Sequence, residues 1–508
     1  MKIQLLRGAL ARRGVIAALC ASLPSTAGAQ STLSAPATPA ATAQAGLLGF
    51  YTVVNLGPRY TWPLLNERGQ VAYTLFNVIQ ASSSFFDGER VRPIGSLGGD
   101  YTSVRGLNNQ GVVAGVSVTQ SDPGVAHAFS WTPAGGTRAL SGAAQSIAYD
   151  INDRNEIVGW TSDGNAVRAI RWNPNGASTP LGPLSAGSSE AQAINHGGYA
   201  AGYSAGADGQ FHAALWDRAG AESNLGLVGD GRWYSVHVND RNEVAGVSDD
   251  GSGGDMRGFL WRRDSGRVPI DAGQYTRIDD LNNRGEVVGG AEIGGRFTAF
   301  YWAAGRGVVP LPRGAGELSA AVDINERGEM AGALQLPDSE GGAWRAVRWP
   351  SFAAAPIDLN ARLYRAPAGL QLSWALRIND SGEIVAESNA GLVLLRPGQR
   401  GTAAPVLGPV TGFPANINSG QDLTLTVGFV DSSRTETHQA NAVWSDGGAS
   451  PAPTVTESGG VGQVRLQHRF CAPGNQFVKV VVTDSGGRAT EVQQEFVVQA
   501  SSGATARR

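Results

Sequence analysis

An asparagine inside a short turn recurs eight times along the chain at nearly constant spacing, for example in DINDRNEIVG and DINERGEMAG. Successive asparagines are 42, 44, 43, 44, 43, 43 and 54 residues apart. A period of this length is typical of one supersecondary unit per repeat, so the fold is expected to be a repeat architecture. The eight asparagines are Asn66, Asn108, Asn152, Asn195, Asn239, Asn282, Asn325 and Asn379.

Glycine or asparagine always occupies the position three residues after the repeat asparagine. These two residues most readily adopt the left-handed backbone that a short hairpin with a bulge requires. The repeat asparagine and its polar neighbours can bond nearby backbone groups and stabilise the turn. We therefore expect a structural role for these positions, which are Gly69, Gly111, Asn155, Gly198, Asn242, Gly285, Gly328 and Gly382.

An apolar segment that ends in tryptophan follows the asparagine by 20 to 24 residues in six repeats. Together with the turn, it predicts four-stranded units and an all-β fold over residues 47–396. An eight-bladed β-propeller is the favoured architecture, and a seven-bladed ring with one irregular repeat is the alternative. The tryptophans are Trp131, Trp172, Trp216, Trp261, Trp302 and Trp349, with Phe86 and Leu395 in the first and last repeats.

The two ends of the repeat region predict how the ring closes. The region begins with YTVVNLG, a strand of the fourth type, and ends with LVLLRP, a strand of the third type. The N-terminal strand is therefore expected to complete the last blade, which removes the exposed edges of an open array.

The D-I-N-x-x-G-x-V-x-G turn, together with the tripeptide His127-Ala128-Phe129, resembles the HAF-repeat family of bacterial extracellular proteins. The tripeptide is degenerate elsewhere, as in His212-Ala213-Ala214. The resemblance covers residues 47–396 and implies an exported repeat scaffold. It supplies no catalytic motif to place on this sequence.

A second domain is expected over residues 405–500, where the repeat disappears and strands alternate with turn residues. A β-sandwich of seven strands is predicted, after a linker at 397–404 and before a disordered tail at 501–508. The segment Trp444-Ser445-Asp446-Gly447 resembles the W-G-D-G motif of PKD-type, immunoglobulin-like domains, which implies a spacer or a weak interaction module.

Three aspartates of this domain are candidate calcium ligands. Calcium takes six to eight oxygen ligands, and scattered aspartates do not make such a shell, so turn formation is the favoured role. Trp444 is expected in the core of the sandwich. The three aspartates are Asp431, Asp446 and Asp484.

The first 29 residues have the pattern of a secretory signal peptide. Basic residues, among them Lys2 and Arg7, precede an apolar stretch at residues 15–23, and Ala27-Gly28-Ala29 follows. Cleavage is predicted between Ala29 and Gln30, followed by a disordered linker at 30–46. The protein is therefore expected in the periplasm or outside the cell.

Composition and motifs argue against several functions. Beyond the leader the chain has 36 basic and 43 acidic residues, which disfavours nucleic acid as a partner. Cys471 is the only cysteine there, so no internal disulfide is expected. No two histidines lie within four residues of each other, and no nucleophile elbow, phosphate loop or dinucleotide fingerprint occurs. No catalytic residue, metal or cofactor is predicted.

The favoured function is a monomeric, non-catalytic scaffold that binds a glycan or protein through the propeller loops. Candidate contacts are Arg232-Trp233-Tyr234 and Trp344-Arg345, although packing between blades is the favoured role for each of these residues. A structural envelope component without a discrete ligand is one alternative. A propeller-type glycoside hydrolase or lyase is another, with candidate acids Asp250, Asp255, Asp279, Asp280 and Asp338.

Overall fold

The computed structural model describes residues 51–500 apart from 59–60, 78–79, 141–144, 184–186, 230–235, 249–255, 365, 398–403, 432–435, 449, 459 and 486. The predicted signal peptide, the linker at 30–46, most of the second linker, the tail, residues 232–234, Asp250 and Asp255 lie outside the described residues. The chain divides into two compact units, of which one contains Thr52–Arg396 and the other Pro397–Arg508.

The all-β prediction is confirmed. Within the described ranges, the helical elements are two 3-10 turns, Asp338–Glu340 and Leu359–Arg362. Neither turn has the length or the apolar character of a membrane span.

The first unit is made of eight sheets, numbered here along the chain. The first described strand, β1 (Tyr51–Gly57), belongs to sheet 8. Sheet 1 contains β2 (Thr61–Leu65), β3 (Val71–Asn77), β4 (Gln80–Phe86) and β5 (Val91–Ile94). Sheet 2 contains β6 (Thr102–Leu107), β7 (Val113–Val118), β8 (Ala126–Thr132) and β9 (Gly136–Ala139). Sheet 3 contains β10 (Gln145–Ile151), β11 (Ile157–Ser162), β12 (Val167–Trp172) and β13 (Ser178–Pro180). Sheet 4 contains β14 (Ser189–Ile194), β15 (Ala200–Ala205), β16 (Phe211–Trp216) and β17 (Glu222–Gly229).

The remaining sheets follow the same order. Sheet 5 contains β18 (Val236–Val238), β19 (Val244–Ser248), β20 (Arg257–Arg262) and β21 (Gly266–Ile270). Sheet 6 contains β22 (Gln274–Leu281), β23 (Glu286–Ile293), β24 (Arg296–Ala303) and β25 (Gly307–Pro310). Sheet 7 contains β26 (Leu318–Ile324), β27 (Met330–Gln335), β28 (Trp344–Trp349) and β29 (Ile357–Asp358). Sheet 8 contains β1, β30 (Leu363–Tyr364), β31 (Leu372–Ile378), β32 (Ile384–Ser388) and β33 (Gly391–Pro397).

The strand that precedes each repeat asparagine lies at one edge of its sheet. Each of these edge strands contacts the corresponding strands of both neighbouring sheets, and β31 of sheet 8 contacts β2 of sheet 1. They are therefore the inner strands around a central channel, and the first unit is a β-propeller.

Sheet 8 joins the two ends of the repeat region. Its strand order is β30, β1, β33, β32, β31, so the N-terminal strand pairs beside β33 as the chain ends predict. The spacing of 54 residues before Asn379 arises here, because the chain between β29 and β31 adds the turn Leu359–Arg362 and the short strand β30 on the outer side of β1. Sheet 8 thus has five strands instead of the expected four.

The repeat tryptophans pack between neighbouring sheets. Trp172 of sheet 3 shares a core cluster with Ala114 and Ala128 of sheet 2, and Trp349 of sheet 7 shares one with Ala299 of sheet 6. The small side chains of one sheet thus make room for the indole of the next. Truncation of such a buried tryptophan to alanine costs about 3–5 kcal/mol.

The second unit contains two sheets around one core. One sheet has the order β34 (Val406–Thr411), β36 (Asp422–Val430), β39 (Val461–Arg469), β38 (Thr454–Ser458). The other has the order β35 (Ile417–Asn418), β41 (Ala489–Gln499), β40 (Gly474–Asp484), β37 (His438–Trp444). Apolar side chains of both sheets meet in a single cluster, in which Trp444 is 6% exposed. The described part has eight strands where seven were predicted, because the two-residue β35 pairs in parallel with β41.

Candidate functional site

The eight repeat asparagines form a closed ring of hydrogen bonds around the channel. Each Nδ2 donates to the backbone carbonyl of the asparagine in the next repeat, at 2.8 to 3.1 Å. The last bond runs from Asn379 to Asn66 O at 3.0 Å, which returns the ring to its start. All eight residues are only 2 to 5% exposed. The side chain therefore connects neighbouring repeats as well as stabilising its own turn.

Each asparagine side chain also accepts a backbone hydrogen bond within its own turn. In every repeat its Oδ1 accepts the backbone N–H four residues later, as in the 3.1 Å bond from Glu286 to Asn282. Three residues after the asparagine, Gly or Asn adopts the left-handed backbone that the sequence pattern predicts, with φ of 74° at Gly285 and 59° at Asn155. Aspartate is excluded from the ring position because it has no donor for the next carbonyl.

A second acceptor for the asparagine amide explains the choice between Gly and Asn. In six repeats the amide donates to a Gln or Glu side chain four residues later, at 2.6 to 2.9 Å. In the other two repeats that position is Val112 or Tyr199, which offers no such acceptor. There the amide donates to Asn155 or Asn242 of the following repeat, at 2.7 and 2.8 Å.

Steric restrictions also explain whether Gly or Asn occupies the position three residues after the asparagine. The carboxylate of Glu243 lies over Gly285 of the following repeat, and a Cβ at that glycine would come within 2.7 Å of Glu243 Oε2. A Glu in one repeat thus requires Gly in the next, whereas its absence leaves room for Asn.

A double-mutant cycle tests this pairing. We expect Asn155→Gly to destabilise the protein by about 1 kcal/mol, because the Asn108 amide loses an acceptor. Val112→Glu alone is expected to cost a similar amount, because the new carboxylate meets the Asn155 side chain. The double variant recreates the Glu-and-Gly arrangement, so equilibrium unfolding should give a coupling free energy of at least about 1 kcal/mol. Additive losses would contradict the rule.

A second ring surrounds the channel mouth on the same face. It consists of the residues that follow the asparagines, namely Glu67, Asn109, Asp153, His196, Asp240, Asn283, Glu326 and Asp380. At seven of the eight junctions the backbone N–H of one member donates to the side-chain oxygen of the next, at 2.7 to 2.9 Å. At the eighth, His196 Nε2 lies 2.7 Å from Asp153 Oδ2. Five carboxylates therefore encircle the mouth.

These carboxylates affect one another electrostatically. Burial, together with the charges of Asp380 and Glu326, raises the pKa of Glu67 above its ordinary value. Burial and Asp380 likewise raise the pKa of Glu326. A cation near Glu67 and Glu326 would oppose these effects, because an opposite charge favours the ionised form of a carboxyl group.

Aspartates two positions before the asparagine hold the inner strands together. The Oδ2 atom of each aspartate accepts a backbone N–H. The donor is Ile194 for Asp150 (2.9 Å), Ile324 for Asp280 (3.0 Å) and Ile378 for Asp323 (2.6 Å). In each case the partner belongs to the next sheet. The inner strands shift register beside these residues, and such bulges re-aim side chains. The Asp in D-I-N and D-L-N was a usable signal for this contact.

A cavity of about 270 Å³ lies at the axis, lined by inner strands and turns of sheets 1, 2, 3, 6, 7 and 8. A second cavity of about 210 Å³ shares Leu65, Glu67, Leu107 and Asp150 with it. The ionisable groups around the larger cavity are six carboxyl groups and two guanidinium groups, from Glu67, Asp150, Asp280, Asp323, Glu326, Asp380, Arg105 and Arg377. This arrangement can attract and hold a positively charged group.

Of the candidate acids predicted from the sequence, Asp280 lines the larger cavity, whereas Asp279 and Asp338 are not part of its lining. Asp279 and Asp280 are within β22, where Asp279 forms an ion pair with Arg277 at 2.7 Å. Asp338 begins a 3-10 turn between β27 and β28. Trp344 packs against Trp374 with ring centroids 4.8 Å apart, so its described contact is internal packing.

Two of the three candidate calcium ligands come together in the second unit. Carboxylate oxygens of Asp431, Glu436 and Asp484 lie within 4.8 Å of one another. The guanidinium of Arg488 pairs with both Glu436 and Asp484, so a cation already occupies this cluster. Asp446 lies elsewhere, against the ring of His468 at 3.0 Å.

No protein-family model and no curated protein matches the chain. Solved structures with similarity include TolB from Acinetobacter baumannii, with 13% identity and a TM-score of 0.31 over 48% of this chain; the chain spans 63% of that TolB. YCF48 bound to D1 peptide has 11% identity and a TM-score of 0.36 over 72% of this chain and 100% of that one. Dipeptidyl peptidase 4 from Porphyromonas gingivalis has 10% identity and a TM-score of 0.41, and the match covers 64% of this chain and 57% of the peptidase. The propeller assignment rests on the strand order and ring contacts of this chain.

Proposed function

We propose that the chain is an exported, non-catalytic recognition module that binds an extracellular or envelope ligand, a protein or a glycan, through a positively charged group of that ligand. The binding position is the channel mouth on the face of the asparagine turns. The observation that carries the proposal is the 270 Å³ cavity, where six carboxyl groups face two guanidinium groups, so that negative charge is in excess even when one of the acids is protonated. Electrostatic complementarity of this kind favours cationic partners.

The architecture proposed for this module is an eight-bladed propeller followed by an immunoglobulin-like β-sandwich of PKD type. Eight asparagine amides linked from end to end support eight blades over seven. Two four-stranded sheets around one core support the sandwich. The signal-peptide pattern of residues 1–29 supports the proposed export, and the module is proposed to act as a monomer, with the sandwich as spacer.

Binding can be tested with the purified full chain and a panel of basic and acidic peptides, peptidoglycan fragments, and amino and neutral glycans. Ligands are detected by a rise in thermal midpoint. The double variant Glu67→Gln and Glu326→Gln keeps oxygen acceptors for the ring but removes two charges. We expect a cationic hit to bind this variant at least about tenfold more weakly, since each lost charge contact costs about 1 kcal/mol or more.

The matched control is Glu89→Gln, on an exposed turn between β4 and β5, which should leave affinity unchanged. Equal affinity for the double variant and the unchanged chain would contradict the assignment of the mouth. A panel without any hit would favour the structural envelope role, which predicts retention in an insoluble envelope fraction.

A glycoside hydrolase or lyase is the second candidate, favoured by Asp280 and Asp323 together in the channel. Paired carboxyl groups are the usual machinery for glycoside hydrolysis. Both residues, however, accept a backbone amide of the neighbouring strand, which favours a structural use. Turnover of an envelope polysaccharide that Asp280→Asn abolishes would favour the enzyme.

A further inference from the structure

Asp280 and Asp323 form a connected pair on adjacent inner strands. Both carboxyl groups line the axial cavity, and Asp280 reaches the backbone directly beside Asp323. Asp280 Oδ2 accepts the N–H of Ile324 on β26, and Asp323 Oδ2 accepts the N–H of Ile378 on β31. Three inner strands, those of sheets 6, 7 and 8, are thus connected through two neighbouring carboxyl groups.

A hydrogen bond between two carboxyl groups requires a proton, because an ionised carboxylate is only an acceptor. With both groups ionised, two negative charges would face each other in a confined space. One proton bound by the pair would therefore relieve this repulsion and stabilise the approach of the two groups.

Further charged groups face the pair from every element around it. His237 Nδ1 on β18 lies 3.9 Å from Asp280 Oδ1. The charges of Arg377 on β31 and of Glu326 after β26 also act on the pair, with opposite signs. On β22 itself, the neighbouring Asp279 is paired with Arg277. The nearby cations are thus divided among several acids.

We propose that the Asp280–Asp323 pair is a proton-operated clamp, which holds the inner strands of sheets 6, 7 and 8 together when protonated and loosens them when the proton leaves. Burial, and then the charge of Asp280, raises the pKa of Asp323 to about 8 despite Arg377 and the Ile378 amide. In the unfolded chain an aspartate titrates near 3.9. The stabilisation is complete below that value and is lost as pH rises through the raised pKa.

Asp150 provides an internal control. It occupies the same position in its repeat and accepts the N–H of Ile194 at 2.9 Å. The corresponding residues of the two flanking repeats are Gly106 and Ala193, so no second carboxyl group of this kind lies beside it. Its contact should therefore not respond to pH in the same range.

The test is hydrogen exchange of the full chain, measured as protection factors at about pH 6 and about pH 9, on either side of the raised pKa. The Ile324 and Ile378 amides should lose at least about tenfold in protection relative to Ile194 at the higher pH, since one unit of pKa coupling is a factor of ten. In Asp323→Asn the amide keeps an acceptor for Ile378 and donates to Asp280, so the pH difference should vanish.

Two results would overturn the clamp. One is an unchanged ratio of Ile378 to Ile194 protection between the two pH values in the unsubstituted chain, a measurement that needs no variant to fold. The other is an equal pH-dependent loss in Asp323→Asn.

Discussion

Asn282→Asp is expected to destabilise the propeller by about 3–5 kcal/mol at neutral pH, although it changes only an amide to a carboxylate. The Asn282 amide donates to Asn325 O at 3.1 Å and to Glu286 Oε2 at 2.6 Å. The new carboxylate loses both bonds and places a second negative charge against Glu286. Protonation relieves the repulsion, so denaturant unfolding should show much of the loss recovered near pH 5, between the ordinary carboxyl pKa and neutrality.

Asn108→Asp is the matched control for this prediction. The Asn108 amide donates to Asn152 O and to the neutral Oδ1 of Asn155, and no acid follows four residues later. This variant should therefore lose about 2 kcal/mol less at neutral pH, because it adds no like-charge contact. Equal losses of stability in the two variants would show that the loss of the amide donor, and not the added like-charge contact, determines the effect. A loss of less than about 1 kcal/mol in both variants would contradict a stabilising role of the asparagine ring.

Deletion of residues 1–57 is expected to abolish cooperative folding of the propeller. The deletion removes β1, which pairs with β33 on one side and β30 on the other. It also removes Leu56, which is 3% exposed and whose carbonyl accepts the Tyr73 hydroxyl at 2.6 Å. Loss of a whole strand from a closed ring is comparable with the total stability of a domain, about 5–15 kcal/mol, and it exposes the edge of β33 to aggregation.

Calorimetry and light scattering on a size-exclusion column measure this outcome. A chain that lacks only residues 1–46 keeps β1 and should unfold at an unchanged midpoint. A synthetic peptide of residues 51–57, added in excess to the longer deletion, should restore part of the transition. A monomeric deletion variant with the original midpoint would mean that β1 does not close the ring.

The sequence predicts the all-β class, the eight turns and the closing strand, because each of these depends on local pattern or on the order of strand types. It misses the partner of the asparagine amide, since the carbonyl that accepts from Asn379 belongs to Asn66, 313 residues earlier. The pattern alone also treats Asn155 as equivalent to glycine, although it supplies an acceptor to another repeat.

The sequence alone also does not predict the acidic channel mouth, because its residues are distant from one another along the chain. Asp280 and Asp323 are separated by a whole repeat, and their approach depends on adjacent inner strands and on bulges that aim both side chains to the axis. The candidate acid Asp280 does line the cavity, and it shares with Asp150 and Asp323 the position two residues before a repeat asparagine. The other acids of the cavity, Glu67, Glu326 and Asp380, directly follow a repeat asparagine. A comparison of aligned repeats would reveal both positions.

Hydrogen exchange of the full chain with and without a saturating hit from the ligand panel tests the proposed function most directly. The account predicts new protection at the asparagine turns around the mouth, centred on Glu67, Glu326 and Asp380. Protection confined to loops on the opposite face, or to the second unit at residues 405–500, would contradict it.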